Sequence, residues 1–296
     1  MSQNNNILTP EKEAALAALQ WHIDNDLADM LDETPEDRTI PPDLSQIQDR
    51  IEHKKSDTPL ITTNTPSSDS AQLSTVQTTI GAAQAIIDAK KIAADCHSLE
   101  QLKTAIQDFE GLSLKKMATN IVFGDGNPKA DVMIIGEAPE AEEDAQGIPA
   151  MGESGQLLDK IMASIGLDRK AETPDQSLYI TNVLNWRPPG NRSPTPQEIE
   201  ISLPFIERHI ALIAPRYLIL CGGGVGKALL RQKDSLSKLR GRFYEYEVEN
   251  INQPDELSTI HTIVTYHPTY LLRTPAQKRA VWNDMLMLKA EIDKNQ

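Results

Sequence analysis

Apolar positions along the chain keep helical spacing at first. Thr9 and Pro10 supply a cap and a first helical residue, and Leu16, Leu19, Ile23, Leu27 and Leu31 follow at intervals of three and four. The pattern predicts an amphipathic N-terminal helix within residues 1–31, with Trp21 and His22 on its surface or docking face. Residues 32–79 then offer Ser, Thr, Pro, Asp and Gln but few large apolar side chains. They bury too little to offset the entropy of ordering, so a mostly disordered linker is expected. Helical patterning returns over 80–97 as a linking helix. Ser98 caps the next helix with Gln101 three residues on, Leu99, Leu102, Ile106 and Phe109 share one face, and Gly111 stops it.

Beyond Gly111 the pattern changes to short apolar runs: Val132–Ile135, Leu178–Thr181, Tyr217–Cys221 and Thr259–Thr265. Helical segments Gly155–Ile165 and Gln197–Ala214 separate the first three. Helix Gly224–Leu230 and a hairpin-like excursion around Arg242–Val248 separate the last two. Strands alternating with helices predict an α/β domain over residues 98–292, with a parallel sheet covered on both faces. A last helix from Pro275 to about Lys289 turns Val281, Met285 and Leu288 inward.

Charge sharpens this division. The formal charge is −14, and residues 1–97 hold 16 acidic against 7 basic residues while the remainder holds 27 against 22. The first part therefore carries −9 and the α/β part only −5. Two cysteines, Cys96 and Cys221, fit a reducing compartment and no disulfide framework. No run is long enough to span a membrane and the start lacks a signal pattern, so a cytoplasmic, monomeric protein is expected. The spacing of His and Asp gives no metal-ligand set, and no metal is expected.

Three strand-end segments carry the candidate chemistry, because ligands bind where parallel strands end. The first is Val132 to Gly155, with five carboxylates between Glu137 and Asp144. The second runs from Thr181 to Arg192. Its Asn182 donates and accepts from one amide, which suits a base or another amide-like ligand. Its Arg187 and Arg192 sit on a proline-stiffened loop suited to phosphates. The third is Tyr266 to Arg273, where His267 precedes Pro268 at a helix start and is placed to donate to an oxygen gaining charge. Tyr270 and Arg273 follow in the same segment as further candidate binding residues. The run Cys221 to Ala228 imitates a phosphate-binding loop but has Cys221 for its first glycine and Ala228 for its magnesium-binding hydroxyl. Its glycines read instead as a tight strand-to-helix turn, with Lys227 a phosphate contact.

In order and spacing, GEAPEAEEDAQGIPAMGESGQLLDKI, TNVLNWRPPGNRSPTPQEI and HPTYLLRTPAQKR resemble the motifs of the uracil-DNA glycosylase superfamily, family 4. WHIDNDLADMLDETPEDR near the start resembles alphaproteobacterial members. The resemblance implies a three-layer αβα fold with a four-stranded parallel sheet, and hydrolysis of the N-glycosidic bond of a uracil, or another deaminated base, flipped out of DNA. It places Glu137 where a carboxylate positions water or stabilises the cationic sugar. Asn182 falls where the uracil edge is read, and His267 where charge develops on uracil O2. Gly136, Ala138, Glu143, Asp144, Ala150 and Asn191 fall at substrate-binding positions.

The chain departs from the family pattern at definite places. Ala150 stands where a Phe stacks on the base, a contact worth about 1–3 kcal/mol. Glu140 stands where a glycine is usual, and Glu153 where a basic residue is common. These departures set up the alternative of a weakened or inactive glycosylase fold that binds DNA or protein. Many family members hold an iron–sulfur cluster on four cysteines. The matching positions here are Phe109, Leu112, Trp186 and Ser202, so no cofactor is expected. The expected partners are uracil-containing DNA and a protein bound through the N-terminal helix.

Overall fold

Each of the four apolar runs becomes a strand, and the four lie side by side and parallel. In a computed structural model, which describes residues 69–249 and 257–294 with side chains from residue 81, they are β2 (Val132–Gly136), β3 (Leu178–Asn182), β4 (Tyr217–Cys221) and β6 (Leu257–Thr265). Two antiparallel strands extend this parallel centre: β1 (Asp125–Gly126) beside β3, and β5 (Phe243–Glu249) beside β6. The sheet therefore has six strands in the order β1-β3-β2-β4-β6-β5. The four-stranded expectation holds for its centre and omits its edges. Strand β1 is two residues without an apolar side chain, and β5 is the excursion expected around Arg242–Val248.

Every residue of β2, β3 and β4 is buried, as a sheet covered on both faces requires. Alternate side chains enter two cores. Met133, Ile135, Leu218 and Leu220 face one layer of helices, while Val132, Ile134, Ile219 and Cys221 face the other. The first layer contains α1 (Asp69–Ala94), α2 (Leu99–Asp108) and α5 (Pro196–Ile213). Ala85, Ala89 and Ala93 form a buried stripe at every fourth position of α1, and their small size lets it lie close against α5. The helix read as a linking segment is thus part of the core. It also begins at Asp69, inside the stretch read as linker, where Leu73, Val76 and Ile80 are sparse apolar positions among Ser, Thr and Gln. The predicted N-terminal helix and the rest of the linker lie outside the described residues.

Short helices α3 (Ala141–Gln146) and α4 (Gly152–Ala163) follow β2, and α6 (Gly223–Leu229) and α7 (Leu236–Leu239) follow β4. After β6 come α8 (Pro268–Arg273) and α9 (Lys278–Lys294), the latter burying Val281, Met285 and Leu288 as expected. From β2 the chain goes to β3 on one side, then to β4 on the other. The carboxyl edge at β2 is thus a topological switch point, where α/β sheets open a crevice. Register sets what faces it, since Gly136 pairs with Asn182 and Cys221 with Thr265.

Candidate active site

The three strand-end segments do converge at this edge. Gly136, Glu143, Ala150, Ser154, Asn182, Cys221 and His267 line one small pocket, floored by Ile134, Leu158 and Ile180. The space open to the centre of a water molecule is about 20 Å³, enough for a water. Asn182 is 5% exposed, and its Nδ2 has no hydrogen-bond partner among the described residues. A buried amide donor left unpaired costs about 1–3 kcal/mol and needs a reason. Its Oδ1 lies over Gly136, where an added Cβ would come within 2.1 Å. Only glycine leaves the amide room at that place.

The carboxylates of the first segment separate into distinct jobs. Glu143 is buried and accepts from the backbone N–H of Glu140 at 2.6 Å and from that of Ala150. Burial pushes its pKa up and the neighbouring Glu140 charge adds to the rise, while those two N–H groups and the Asn182 side chain pull it back in part. Glu137 does not line the pocket; its Oε1 lies over Gly224, where a Cβ would meet it at 1.9 Å. The glycine-rich turn therefore makes room for a catalytic candidate rather than for a phosphate. Burial raises the Glu137 pKa too, which makes it a stronger base once ionised. Asp144 stays away from the pocket, accepting from the backbone N–H groups of Thr119 at 2.8 Å and Asn120 at 3.1 Å. Ala138 packs against the core and does not line the pocket either.

His267 caps α8, its Nδ1 accepting from the Thr269 N–H at 3.3 Å. A nitrogen that accepts carries no proton, so the neutral ring holds its hydrogen on Nε2. That nitrogen faces Gly136, 3.6 Å from where a Cβ would stand. Burial lowers the His267 pKa, Glu140 raises it and Arg273 lowers it further, with a net decrease. The ring is thus a neutral donor aimed into the pocket.

The cations expected at DNA are arranged unevenly. Arg192 is held by Glu198 through both terminal nitrogens, at 2.8 and 2.6 Å, beside the Thr195 cap of α5. Arg187 donates to Asn191 at 2.7 Å and lies 3.8 Å from Asp144, so Asn191 fixes a loop instead of lining the pocket. Lys227 and Arg273 are exposed, and Tyr270 stacks on Tyr266 with centroids 5.1 Å apart.

Two groups escaped the sequence reading. Arg169, with only 8% of its side chain exposed, donates to the carbonyls of Pro149 at 3.2 Å and Ala150 at 3.1 Å and pairs with Asp125 and Asp159. It pins Ala150, which has φ 51°, at the pocket rim. Gly155 passes so close to the Ala150 carbonyl that a Cβ would stand 1.7 Å from it. Thr269 donates its hydroxyl to Glu140 at 2.9 Å, joining the first and third segments. No local pattern signals either contact.

The model of the uracil DNA glycosylase superfamily matches residues 123–286, more than half of the chain and all of the pocket. The chain belongs to that superfamily. It is 34% identical to the type-4 uracil-DNA glycosylase of Pyrobaculum aerophilum over 64% of this chain and 92% of that protein. It is also 34% identical to that of Archaeoglobus fulgidus, over 63% and 89%, and to that of Thermotoga maritima, over 60% and 85%.

The iron–sulfur cluster that the resemblance to family 4 implies does not fit the residues present. Phe109 and Leu112 are buried core residues, Trp186 packs against them and Ser202 is buried on α5, so none supplies a thiolate. Phe109 instead sets its ring edge-on to Phe205, centroids 5.1 Å apart, and folds over Gly111. Cys221 lines the small pocket, and its thiol is pushed up to about 12 by burial. A larger groove of about 650 Å³ runs along β5 past Lys90, Glu207 and Arg208, but no catalytic candidate faces it. Among the described residues no helix is long and apolar enough to cross a membrane.

Proposed function

We propose that this protein hydrolyses the N-glycosidic bond of uracil flipped out of DNA, beginning base-excision repair. The observation that carries the reading is the buried, unpaired Nδ2 of Asn182 beside a neutral His267 in a pocket at the switch point. Uracil presents a carbonyl acceptor at position 4 and an N–H donor at position 3. The Asn182 amide donates to the first and accepts from the second, whereas cytosine presents the reverse pair. As the C1′–N1 bond breaks, its electrons pass to the base and charge gathers on O2, which receives a hydrogen bond from His267 Nε2. Glu137, ionised, stabilises the cationic sugar or takes a proton from the water that bonds to C1′. Ala138, Glu143, Ala150 and Asn191 shape or brace the base site, and Arg187, Lys227, Tyr270 and Arg273 meet the DNA. Lys227 and Arg273 are the exposed cations of that set.

A second reading is favoured by one feature. Ala150 offers no ring for the base to lie on, so the fold could serve DNA or protein binding with little turnover.

The test is release of uracil from single- and double-stranded oligonucleotides by the purified full chain. Release that disappears with Asn182→Ala and His267→Ala supports the enzyme. DNA binding without release by the unaltered chain overturns it in favour of the second reading. An N-terminal protein partner, a monomeric state and a cytoplasmic location belong to the same proposal.

A further inference from the structure

The position where Glu140 replaces the usual glycine of the motif is a junction. Its backbone N–H donates to Glu143 Oε2 at 2.6 Å, and the residue stands as the N-cap of α3. Its Oε1 accepts the Thr269 hydroxyl at 2.9 Å, and the Thr269 N–H donates to His267 Nδ1 at 3.3 Å. One continuous set of hydrogen bonds thus runs from the buried carboxylate that fixes Ala150, through Glu140, to the imidazole across the pocket. A glycine could supply the backbone link but not the side-chain contact to Thr269.

We propose that Glu140 is a positioning residue that latches the first strand-end loop to the third, holding His267 at its place as the Nε2–H tautomer. The mechanism is local. The Glu140 carboxylate fixes Thr269 through its hydroxyl, and the fixed Thr269 N–H occupies Nδ1, leaving the proton on the nitrogen that faces the pocket. Hydrogen bonds to charged groups are the stronger kind, so this is a firm tether for a three-residue cap. Two charged groups act on the imidazole: Glu140 favours its protonated form and Arg273 opposes it. The inference rests on the glycosylase reading for its consequence in turnover, though not for its geometry.

The experiment uses the full chain, unaltered and as Glu140→Gln, Glu140→Ala, Thr269→Val and the Glu140→Ala/Thr269→Val pair. Nitrogen NMR of the His267 ring reports the tautomer without any substrate. The expected result is a single Nε2–H form in the unaltered protein and a mixture of tautomers in Glu140→Ala and Thr269→Val. Glu140→Gln, which still accepts the hydroxyl, keeps the tautomer but titrates at lower pH because the negative charge is gone. In uracil release, Glu140→Ala lowers kcat on the order of tenfold, the loss expected for a hydrogen bond to a charged group. KM stays near its starting value, and the pair is no worse than the single variants. Ring signals unmoved in both Glu140→Ala and Thr269→Val, or fully additive losses in the pair, overturn the latch. Should the unaltered chain release no uracil, the glycosylase reading fails, and the ring signals still decide the latch on their own. Thr269→Val leaves the cap of α3 intact, which separates the latch from simple loss of folding.

Discussion

Two of the polar side chains buried in this domain, His209 and Asn182, are treated in opposite ways. His209, inside the layer of α1, α2 and α5, is 1% exposed; its Nε2 meets the Tyr179 hydroxyl at 3.0 Å and its ring stacks on Phe123, centroids 4.5 Å apart. Asn182, at the carboxyl edge of the same sheet, is also buried, yet its Nδ2 completes no hydrogen bond among the described residues, although the amide lies close enough to Glu143 to favour its charge. Around His209 the fold satisfies what it buries. Around Asn182 it leaves a donor waiting, in a pocket shared with the Glu143 carboxylate, whose pKa burial has raised. A domain that obeys its own rules in one place and breaks them in another marks the second place for ligand.

The largest effects should fall on opposite observables. His267→Ala is expected to cut uracil release by roughly 10²–10³, the usual loss of a donor to developing charge, with little change in melting temperature. His209→Ala is expected to leave kcat near its starting value at permissive temperature while destabilising the fold by about 2–4 kcal/mol, from a cavity plus an orphaned Tyr179 hydroxyl. Enzyme assay and chemical denaturation of both variants check the pair. If His209→Ala abolishes release from a folded protein, or His267→Ala unfolds it, the division between the two regions is wrong.

The same division governs how much could be read from the chain. The four central strands were legible because buried parallel strands read as largely apolar runs, with only the β6 run broken by Thr and His, and Glu137, Asn182 and His267 stood out because each follows the end of such a run. Strand β1 was not, since two residues paired at an edge have no periodicity. The start of α1 at Asp69 was hidden by its polar composition. The Glu140–Thr269 contact joins residues 129 apart, and Arg169 reaches Ala150 from beyond α4. Pairings of that kind depend on strand order, which local pattern does not carry. The glycine-rich turn shows the boundary well: sequence reveals that the turn is tight, and only the neighbouring strand reveals that Glu137 lies over Gly224.

Ala150→Phe probes the pocket side more gently. The residue sits at φ 51°, held there by Arg169, so a ring placed on this backbone keeps some strain. The stacking contact is worth about 1–3 kcal/mol, and the backbone strain of a bulky left-handed residue costs of order 1–3 kcal/mol. A net gain in kcat/KM of about threefold to tenfold is expected if stacking wins by around 1 kcal/mol. Comparing release rates of Ala150→Phe and the unaltered chain is sufficient. A loss of rate with a fall in stability would show that strain wins and that Ala150 suits this backbone better than the ring it replaces.

Acid separates the two regions on a finer scale. Burial holds the His209 pKa down to about 3 from an ordinary 6.5. Its contribution to stability is therefore complete above pH 6.5 and is lost as pH falls toward 3, because the unfolded chain takes up the proton first. Glu137 has the opposite sign. Its folded pKa is raised above the ordinary 4.5, so its stabilising contribution is present below pH 4.5 and is lost as pH rises through the raised value. At neutral pH the ionised Glu137 is a cost borne for chemistry. Glu137→Gln should therefore raise the melting temperature at pH 7 while lowering uracil release, and the advantage should vanish by pH 4. Calorimetry at the two pH values measures this directly. A Gln variant that melts lower at pH 7 would mean that the carboxylate has a stabilising partner and that the pocket edge is as well satisfied as the His209 layer.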